Sequence, residues 1–172
     1  MKEIAMPAIT PGTQAYSCPA AEQLLLAHEH ESREMERYRG LALSFLPAYP
    51  HVGRLMASLG IECEQRSSAL EALAEQLSLG QCLPTGPFRD STLAGASQLH
   101  LFITNDVMAG LTLSHALTFA HYSRRFSELM ARYCQLPALD AMLTQFIERK
   151  RTACQLLEEE AQAGAYAVPA RA

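Results

Sequence analysis

Four long stretches of this chain carry apolar residues at the spacing of one helix face, and proline-containing breaks separate them. The stretches cover about residues 20–45, 51–79, 96–133 and 138–163. Pro47, Pro50 and Pro137 mark two of the breaks, because proline cannot continue a backbone hydrogen-bond ladder. We find no strand-like alternation of useful length. The pattern therefore predicts an all-α protein built from four helices.

The break between the second and third helices is longer than the other two. It contains Gly80, Pro84, Gly86 and Pro87, and with its flanks it spans up to about 18 residues. A connection of this length can carry the chain from one end of a bundle to the other. We therefore expect a four-helix bundle over residues 20–163 with one long crossover between helices 2 and 3. Residues 1–19 and 164–172 are expected to form a flexible arm and a flexible tail.

Composition excludes several classes of protein. The chain has 172 residues, enough for one domain, and its net charge of −4 disfavours binding to nucleic acid or to an anionic membrane. No apolar run reaches the roughly 20 residues that a membrane span needs, and the first residues do not resemble a signal peptide. The five cysteines are scattered and form no CxxC, so we expect neither a disulfide framework nor a zinc ribbon. These features favour a cytoplasmic protein.

Three glutamates stand at corresponding places in a weak two-fold internal repeat. Glu31 and Glu62 interrupt the apolar stripes of the first and second helices, and the overlay of the two halves places Glu62 on Glu148 and Glu31 on Ala120. Burying an unpaired carboxylate costs several kcal/mol or more. When several helices each direct an acid toward the core, a cation at the centre is the usual reason.

A dinuclear metal site inside a helical bundle has a known ligand pattern. It takes one Glu from each of two helices and a Glu-x-x-His from each of the other two. Residues three apart on a helix share a face, so both side chains reach the same centre. Carboxylates together with imidazoles suit iron or manganese.

Two segments carry a resemblance to a known family. The runs AHEHESREMERYRGLA at 27–42 and LGIECEQ at 59–65 resemble the ferritin-like superfamily, and within it the rubrerythrin-like branch. The resemblance covers about residues 24–157. It implies a dinuclear iron centre with oxidase or peroxidase chemistry, in which Glu31, Glu62 and Glu148 are metal ligands and Tyr38 lies beside the site.

The chain departs from the family pattern at the remaining ligand positions. Gln65 and Arg151 stand where histidines are expected, Ala120 stands where a glutamate is expected, and Ser127 replaces a tyrosine. The rubredoxin-type iron module is absent as well, since there is no CxxC. An intact diiron centre is therefore not expected, and metal binding and catalysis should be weak or lost. We predict that the Arg151 guanidinium replaces the metal as the counter-ion of the glutamates.

Other interpretations stay open at this point. A single iron or manganese ion could use the glutamates with His28, His115 or His121, which would make the chain a non-standard oxidoreductase. Alternatively, the bundle could be a non-catalytic structural or protein-interaction module. Glu148 could also be a surface charge, because the apolar stripe of its helix passes beside it. Pairing along helix faces, which is common in ferritin-like bundles, suggests a homodimer. The sequence identifies no catalytic residue and no redox partner.

Overall fold

The computed structural model describes residues 19–84 and 102–164, and these residues form four long α-helices packed as a bundle. The helices are α1 (Pro19–Phe45), α2 (Pro50–Gln76), α3 (Asp106–Tyr133) and α4 (Pro137–Ala163), and a short 3₁₀ turn at Gly80–Cys82 follows α2. There is no strand among the described residues, so the predicted all-α, four-helix architecture is confirmed. None of the described helices is long and apolar enough to cross a membrane. The predicted arm and tail lie almost entirely outside the described residues.

Prolines begin three of the four helices. Pro19, Pro50 and Pro137 each occupy the first helical position, where no backbone N–H is needed and the fixed φ of proline suits the helix. The third helix starts later than predicted. Residues 102–105 are not helical, because Asn105 is extended and its side-chain oxygen accepts a hydrogen bond from the Met108 backbone N–H at 2.9 Å. Residues 96–101 of that prediction lie outside the described part of the chain.

Neighbouring helices run antiparallel. The α1–α2 pair and the α3–α4 pair form two helical hairpins, which meet through α1 with α3 and α2 with α4. At one end of the bundle Gln23 donates to the Tyr133 carbonyl at 3.0 Å. At the other end the Ile103 N–H donates to the Ser44 carbonyl at 3.0 Å. The Tyr49 hydroxyl donates to Asp106 at 2.7 Å, so α3 begins beside the start of α2.

The apolar core is divided into two clusters along the bundle axis. One lies toward the α1–α2 turn and includes Phe45, Val52, Met56, Leu113 and Leu157. The other lies toward the opposite end and includes Leu24, Leu70, Leu73, Leu139 and Leu143. Between them each helix contributes a buried polar side chain: Glu31, Arg66, Ser123 and Lys150. A polar layer therefore crosses the middle of the bundle.

Candidate functional site

The carboxylate of Glu31 lies at the centre of this layer and is held by two cations. Only 2% of Glu31 is exposed. Lys150 Nζ, from α4, lies 2.5 Å from Oε1, and Arg66 Nε, from α2, donates to Oε2 at 2.8 Å. Three helices thus meet at one carboxylate, and each of its oxygens has its own cationic partner. We refer to Glu31, Arg66 and Lys150 as the ion-pair cluster.

Glu31 and Arg66 each favour the charged form of the other in the folded protein. Burial alone would raise the pKa of Glu31, but the charges of Lys150 and Arg66 outweigh it and hold the pKa below its ordinary 4.5. Burial likewise acts to lower the pKa of Arg66, and Glu31 more than compensates, so that pKa is raised. Breaking a buried pair by removing one partner costs about 3–5 kcal/mol, because the other charge is left without compensation.

A hydrogen-bonded chain extends from Lys150 to the partly buried imidazole of His30. Lys150 Nζ donates to Ser123 Oγ at 2.8 Å, and His30 Nε2 lies 2.8 Å from the same hydroxyl. The His30 ring stacks on Phe126 with centroids 4.1 Å apart. Burial, aided by the nearby Lys150 charge, lowers the pKa of His30 to about 3. The imidazole is therefore neutral near pH 7.

Glu34 adds a second buried carboxylate one turn along α1. It pairs with Arg37, and the Arg37 guanidinium also lies over the Phe119 ring, 4.0 Å from its centroid. Burial raises the pKa of Glu34 above its ordinary value, although Arg37 and Lys150 oppose the shift. Glu34 is thus less well compensated than Glu31.

A small cavity opens beside the cluster. Glu34, Tyr38, Arg66, Ser123 and Lys150 are among its lining residues. About 10 Å³ of it is open to the centre of a water molecule, which is room for roughly one water. A hydrogen-bonded water fits this space, whereas an organic substrate does not.

The nearby thiol and phenol are not poised to react. Arg66 Nη2 lies 3.1 Å from Cys63 Sγ, yet burial raises the pKa of that thiol to about 12. Tyr38 is also buried, and burial together with the Glu34 charge raises the pKa of its hydroxyl well above the ordinary value. Both groups are protonated near neutral pH, so neither is an activated nucleophile.

Two of the three predicted acids, Glu31 and Glu62, both contact the Arg66 guanidinium. Glu31 is at the bundle centre as expected. Glu62 is only partly buried, and its carboxylate lies 3.5 Å from Arg66 Nη1. Tyr38 lies beside the cluster, and Ala120 and Ser127 are buried in the core.

Glu148 does not join them, and the prediction that it points inward with Arg151 is wrong. Their side chains are 63% and 49% exposed, and they pair with each other across one turn at 2.7 Å. The cause is the orientation of α4, whose buried positions are Leu139, Leu143, Phe146, Lys150, Cys154 and Leu157. Two residues correspond to about 200° around a helix, so Glu148 lies opposite Lys150. The counter-ions of Glu31 are Lys150 and Arg66 instead of Arg151.

The other predicted side chains also lie away from Glu31. Gln65 is exposed. His28 Nε2 lies 2.9 Å from Glu71, across the α1–α2 interface. His121 Nε2 lies 3.1 Å from Glu158 at the surface between α3 and α4. No two of these three side chains meet at one centre.

Sequence reasoning missed Glu34, Ser123 and Lys150. Arg66 falls at the spacing of the buried face of α2, between Cys63 and Leu70, but this spacing alone gives it no role. Lys150 has a usable signal, because it falls at the core spacing between Phe146 and Cys154. Ser123 likewise follows Ala116 and Ala120 on the small-residue inner face of α3. Both were obscured because a polar residue at a core position resembles a surface residue in a hydrophobicity pattern.

The donor set at the centre does not fit a dinuclear metal. Among residues 19–84 and 102–164, no group of three or more His, Cys, Asp or Glu side chains could hold a metal ion. The chemistry agrees, since Glu31 already carries a cation on each oxygen and a metal ion there would meet two like charges at close range.

Comparisons with known proteins give no relative. No protein-family model, no curated protein and no solved structure matches the chain.

Proposed function

We propose that this chain is a ferritin-like bundle of rubrerythrin type in which a fixed ion-pair cluster stands in the place of the dinuclear iron centre. It then serves as a structural or protein-interaction module and has no oxidase or peroxidase activity. The observation that carries the proposal is Glu31 held between Lys150 and Arg66, at 2.5 and 2.8 Å. Lys150 and Arg66 supply the positive charge that a bound metal ion would otherwise bring to Glu31.

The directions of the helices support the ferritin-like part of the proposal. α3 begins beside the start of α2, at the Tyr49–Asp106 hydrogen bond, whereas the chain leaves α2 at Gln76. Because α2 has 27 residues, these two points lie about 40 Å apart along the bundle. The described residues before and after residues 85–101 thus lie toward opposite ends of the bundle, which is the arrangement that one long crossover between helices 2 and 3 requires. A single long crossover of this kind is the ferritin-like connectivity.

Electrostatics favours the ion pair over a metal. A divalent ion about 4 Å from the Lys150 ammonium would be repelled by roughly 8 kcal/mol at an effective dielectric constant near 20. Arg66 would add a similar term, and a guanidinium does not deprotonate in proteins. The buried acids Glu31 and Glu34 are already matched by Lys150, Arg66 and Arg37. A metal would therefore have to displace salt bridges that satisfy these carboxylates.

The mononuclear iron or manganese alternative stays a prediction. Two of its candidate histidines, His28 and His121, contact Glu71 and Glu158 instead of Glu31. The third, His115, is exposed on α3. The positions of these imidazoles therefore favour the ion-pair bundle over a mononuclear site.

Metal analysis of the purified protein tests the proposal. The chain is expressed with added iron or manganese, purified without chelators and measured by plasma mass spectrometry. We expect far less than one metal ion per chain, and the same content in the E31Q variant. Two irons per chain that disappear in E31Q refute the proposal. One metal ion per chain that depends on Glu31 establishes the mononuclear alternative.

A further inference from the structure

The buried ammonium group of Lys150 has one N–H that its protein contacts do not use. An ammonium group carries three donors. Two of these reach Glu31 Oε1 at 2.5 Å and Ser123 Oγ at 2.8 Å. The ammonium forms no further hydrogen bond with residues 19–84 and 102–164. Lys150 lines the small cavity beside the ion-pair cluster and its side chain is only 4% exposed, so a partner for the third N–H has to come from this cavity.

The hydroxyl of Tyr38 is a second buried donor beside the same cavity. Tyr38 lines the cavity and is 4% exposed. Within the described part of the chain, no protein group forms a hydrogen bond with this hydroxyl. A buried tyrosine hydroxyl usually finds a hydrogen-bond partner. The cavity is again the place from which that partner would come.

The carboxylate of Glu34 supplies an acceptor on the cavity wall. It is buried, and it accepts hydrogen bonds from Arg37 and from the Ser123 hydroxyl. An ionised carboxylate has about four acceptor positions, so these two donors leave positions unused. Burial raises the pKa of Glu34 even though Arg37 and Lys150 oppose the shift, so the charged form still gains from another donor.

The cavity has the size of a site for one water molecule. About 10 Å³ of it is open to the centre of a water, and a single water needs roughly this much. A buried water typically makes about three hydrogen bonds. Its oxygen can accept from the Lys150 ammonium and the Tyr38 hydroxyl, and one of its protons can go to the Glu34 carboxylate. Each group left unsatisfied by the protein thus obtains a partner.

The charges around the cavity exclude other small ligands. A metal ion or another cation would meet the Lys150 ammonium and the Arg66 guanidinium, which both line the cavity. A halide would meet the Glu34 and Glu62 carboxylates, and it has no proton to donate to either of them. The ligand therefore has to be neutral, with one heavy atom that both donates and accepts hydrogen bonds.

We propose that the centre of the bundle is a binding site for a single water molecule, which accepts hydrogen bonds from Lys150 and Tyr38 and donates one to Glu34. The water joins the ion-pair cluster to the Tyr38 hydroxyl and completes the polar layer between the two apolar clusters. The inference deepens the proposed function by naming the ligand of the same centre, and it rests on that function because a metal ion would require the same space.

A crystal structure of the native chain, from crystals grown with added iron or manganese, tests the site directly. We expect one density peak about 3 Å from Lys150 Nζ, the Tyr38 hydroxyl and the Glu34 carboxylate, with no anomalous scattering at the absorption edge of either metal. A cavity without density overturns the water site and leaves the metal-free cluster in place. A peak with an anomalous signal overturns the water site and the proposed function together.

The Y38F variant tests the hydroxyl contact in solution. Phenylalanine keeps the ring and removes only the group that donates to the water. Loss of this hydrogen bond should lower the equilibrium constant for folding roughly fivefold in urea titrations. If no water is bound, the hydroxyl is an unsatisfied buried donor, and its removal leaves the constant unchanged or raises it, which overturns the proposal.

The matched control is Y122F on α3, because the Tyr122 side chain is 63% exposed. This variant should change the equilibrium constant for folding by less than about twofold. An equal loss in Y122F and Y38F would show that the effect does not come from the buried site, and it too overturns the proposal. Far-UV circular dichroism verifies that both variants keep the helix content of the native chain.

Discussion

The Lys150→Met variant tests the ion-pair cluster most directly. Methionine retains an apolar stem similar to that of lysine, so the change removes the ammonium group with little loss of packing. Two contacts disappear: the one with Glu31 at 2.5 Å and the one with Ser123 at 2.8 Å. Glu31 keeps Arg66 at 2.8 Å, so its charge is not left wholly uncompensated.

The expected loss in the free energy of unfolding depends on the Glu31–Arg66 pair, which the variant retains. Removing one partner of a buried pair costs about 3–5 kcal/mol, and the retained Arg66 places Lys150→Met at the lower end, near 3 kcal/mol. The pKa of Glu31 should rise in this variant, because burial is then opposed by one cation instead of two. Since a lowered folded-state pKa stabilises above the unfolded value and that stabilisation is lost as pH falls through the folded value, the variant should also unfold at a higher pH in acid.

The assay is urea unfolding followed by far-UV circular dichroism, with free energies compared at equal m-values. The triple variant E31M/R66M/K150M serves as the counter-test, because it removes every charge of the cluster and fills similar volume. It should lie within about 1 kcal/mol of the native chain or above it, since well-packed apolar residues often replace a buried ionic cluster without loss. A Lys150→Met variant within about 0.5 kcal/mol of the native chain would refute the reasoning.

Three further outcomes follow from the structure. E148A and R151A should each change the free energy of unfolding by less than about 0.5 kcal/mol, because this exposed pair lies outside the cluster; a loss of several kcal/mol would contradict its placement. Burial and Lys150 lower the pKa of His30 from 6.5 to about 3, so the folded state binds fewer protons than the unfolded state between these two pH values. The free energy of unfolding therefore decreases as the pH is lowered through this window, by up to about 1.4 kcal/mol per pH unit. H30Q should flatten this slope in urea titrations between pH 6.5 and 4, and an unchanged slope would show that the folded protein does not hold the His30 imidazole neutral. N105A should cost about 1 kcal/mol in thermal or urea unfolding by removing the cap of α3, whereas the nearby T104A should cost less; equal effects would argue against the cap.

Much of the fold can be predicted from the sequence because its signals are local. The apolar stripes locate α1, α2 and α4 to within a few residues, and the prolines mark where helices begin. The start of α3 is misplaced because apolar Ile103 continues the helical spacing, although this buried residue lies in a segment that is not helical. The capping role of Asn105 is a weaker signal than the stripe that it interrupts.

The candidate site is predicted less completely, and the reason is the orientation of one helix. Ile147 and Phe146 are both apolar, so the pattern of α4 allows two inner faces that differ by about 100°. If Ile147 faced the core, Glu148 would be brought toward it. In the structure Phe146 and Lys150 face the core instead. Glu31 is identified correctly because the apolar residues on both sides of it place its side chain on the buried face of α1. Its partners depend on how three helices pack, which no local pattern contains.

The division of the cluster between the two hairpins constrains how this sequence can change over evolution. Glu31 and Arg66 belong to the α1–α2 hairpin, whereas Lys150 belongs to the α3–α4 hairpin. A substitution at any one of the three leaves an unbalanced charge in the core, so single steps are disfavoured and joint replacement is tolerated. In related sequences, positions 31, 66 and 150 should therefore covary, either retaining one acid with two bases or becoming apolar together. The exposed pair Glu148–Arg151 should vary freely in the same sequences. Comparing the variation at these two sets of positions would therefore indicate which residues form the centre of the bundle.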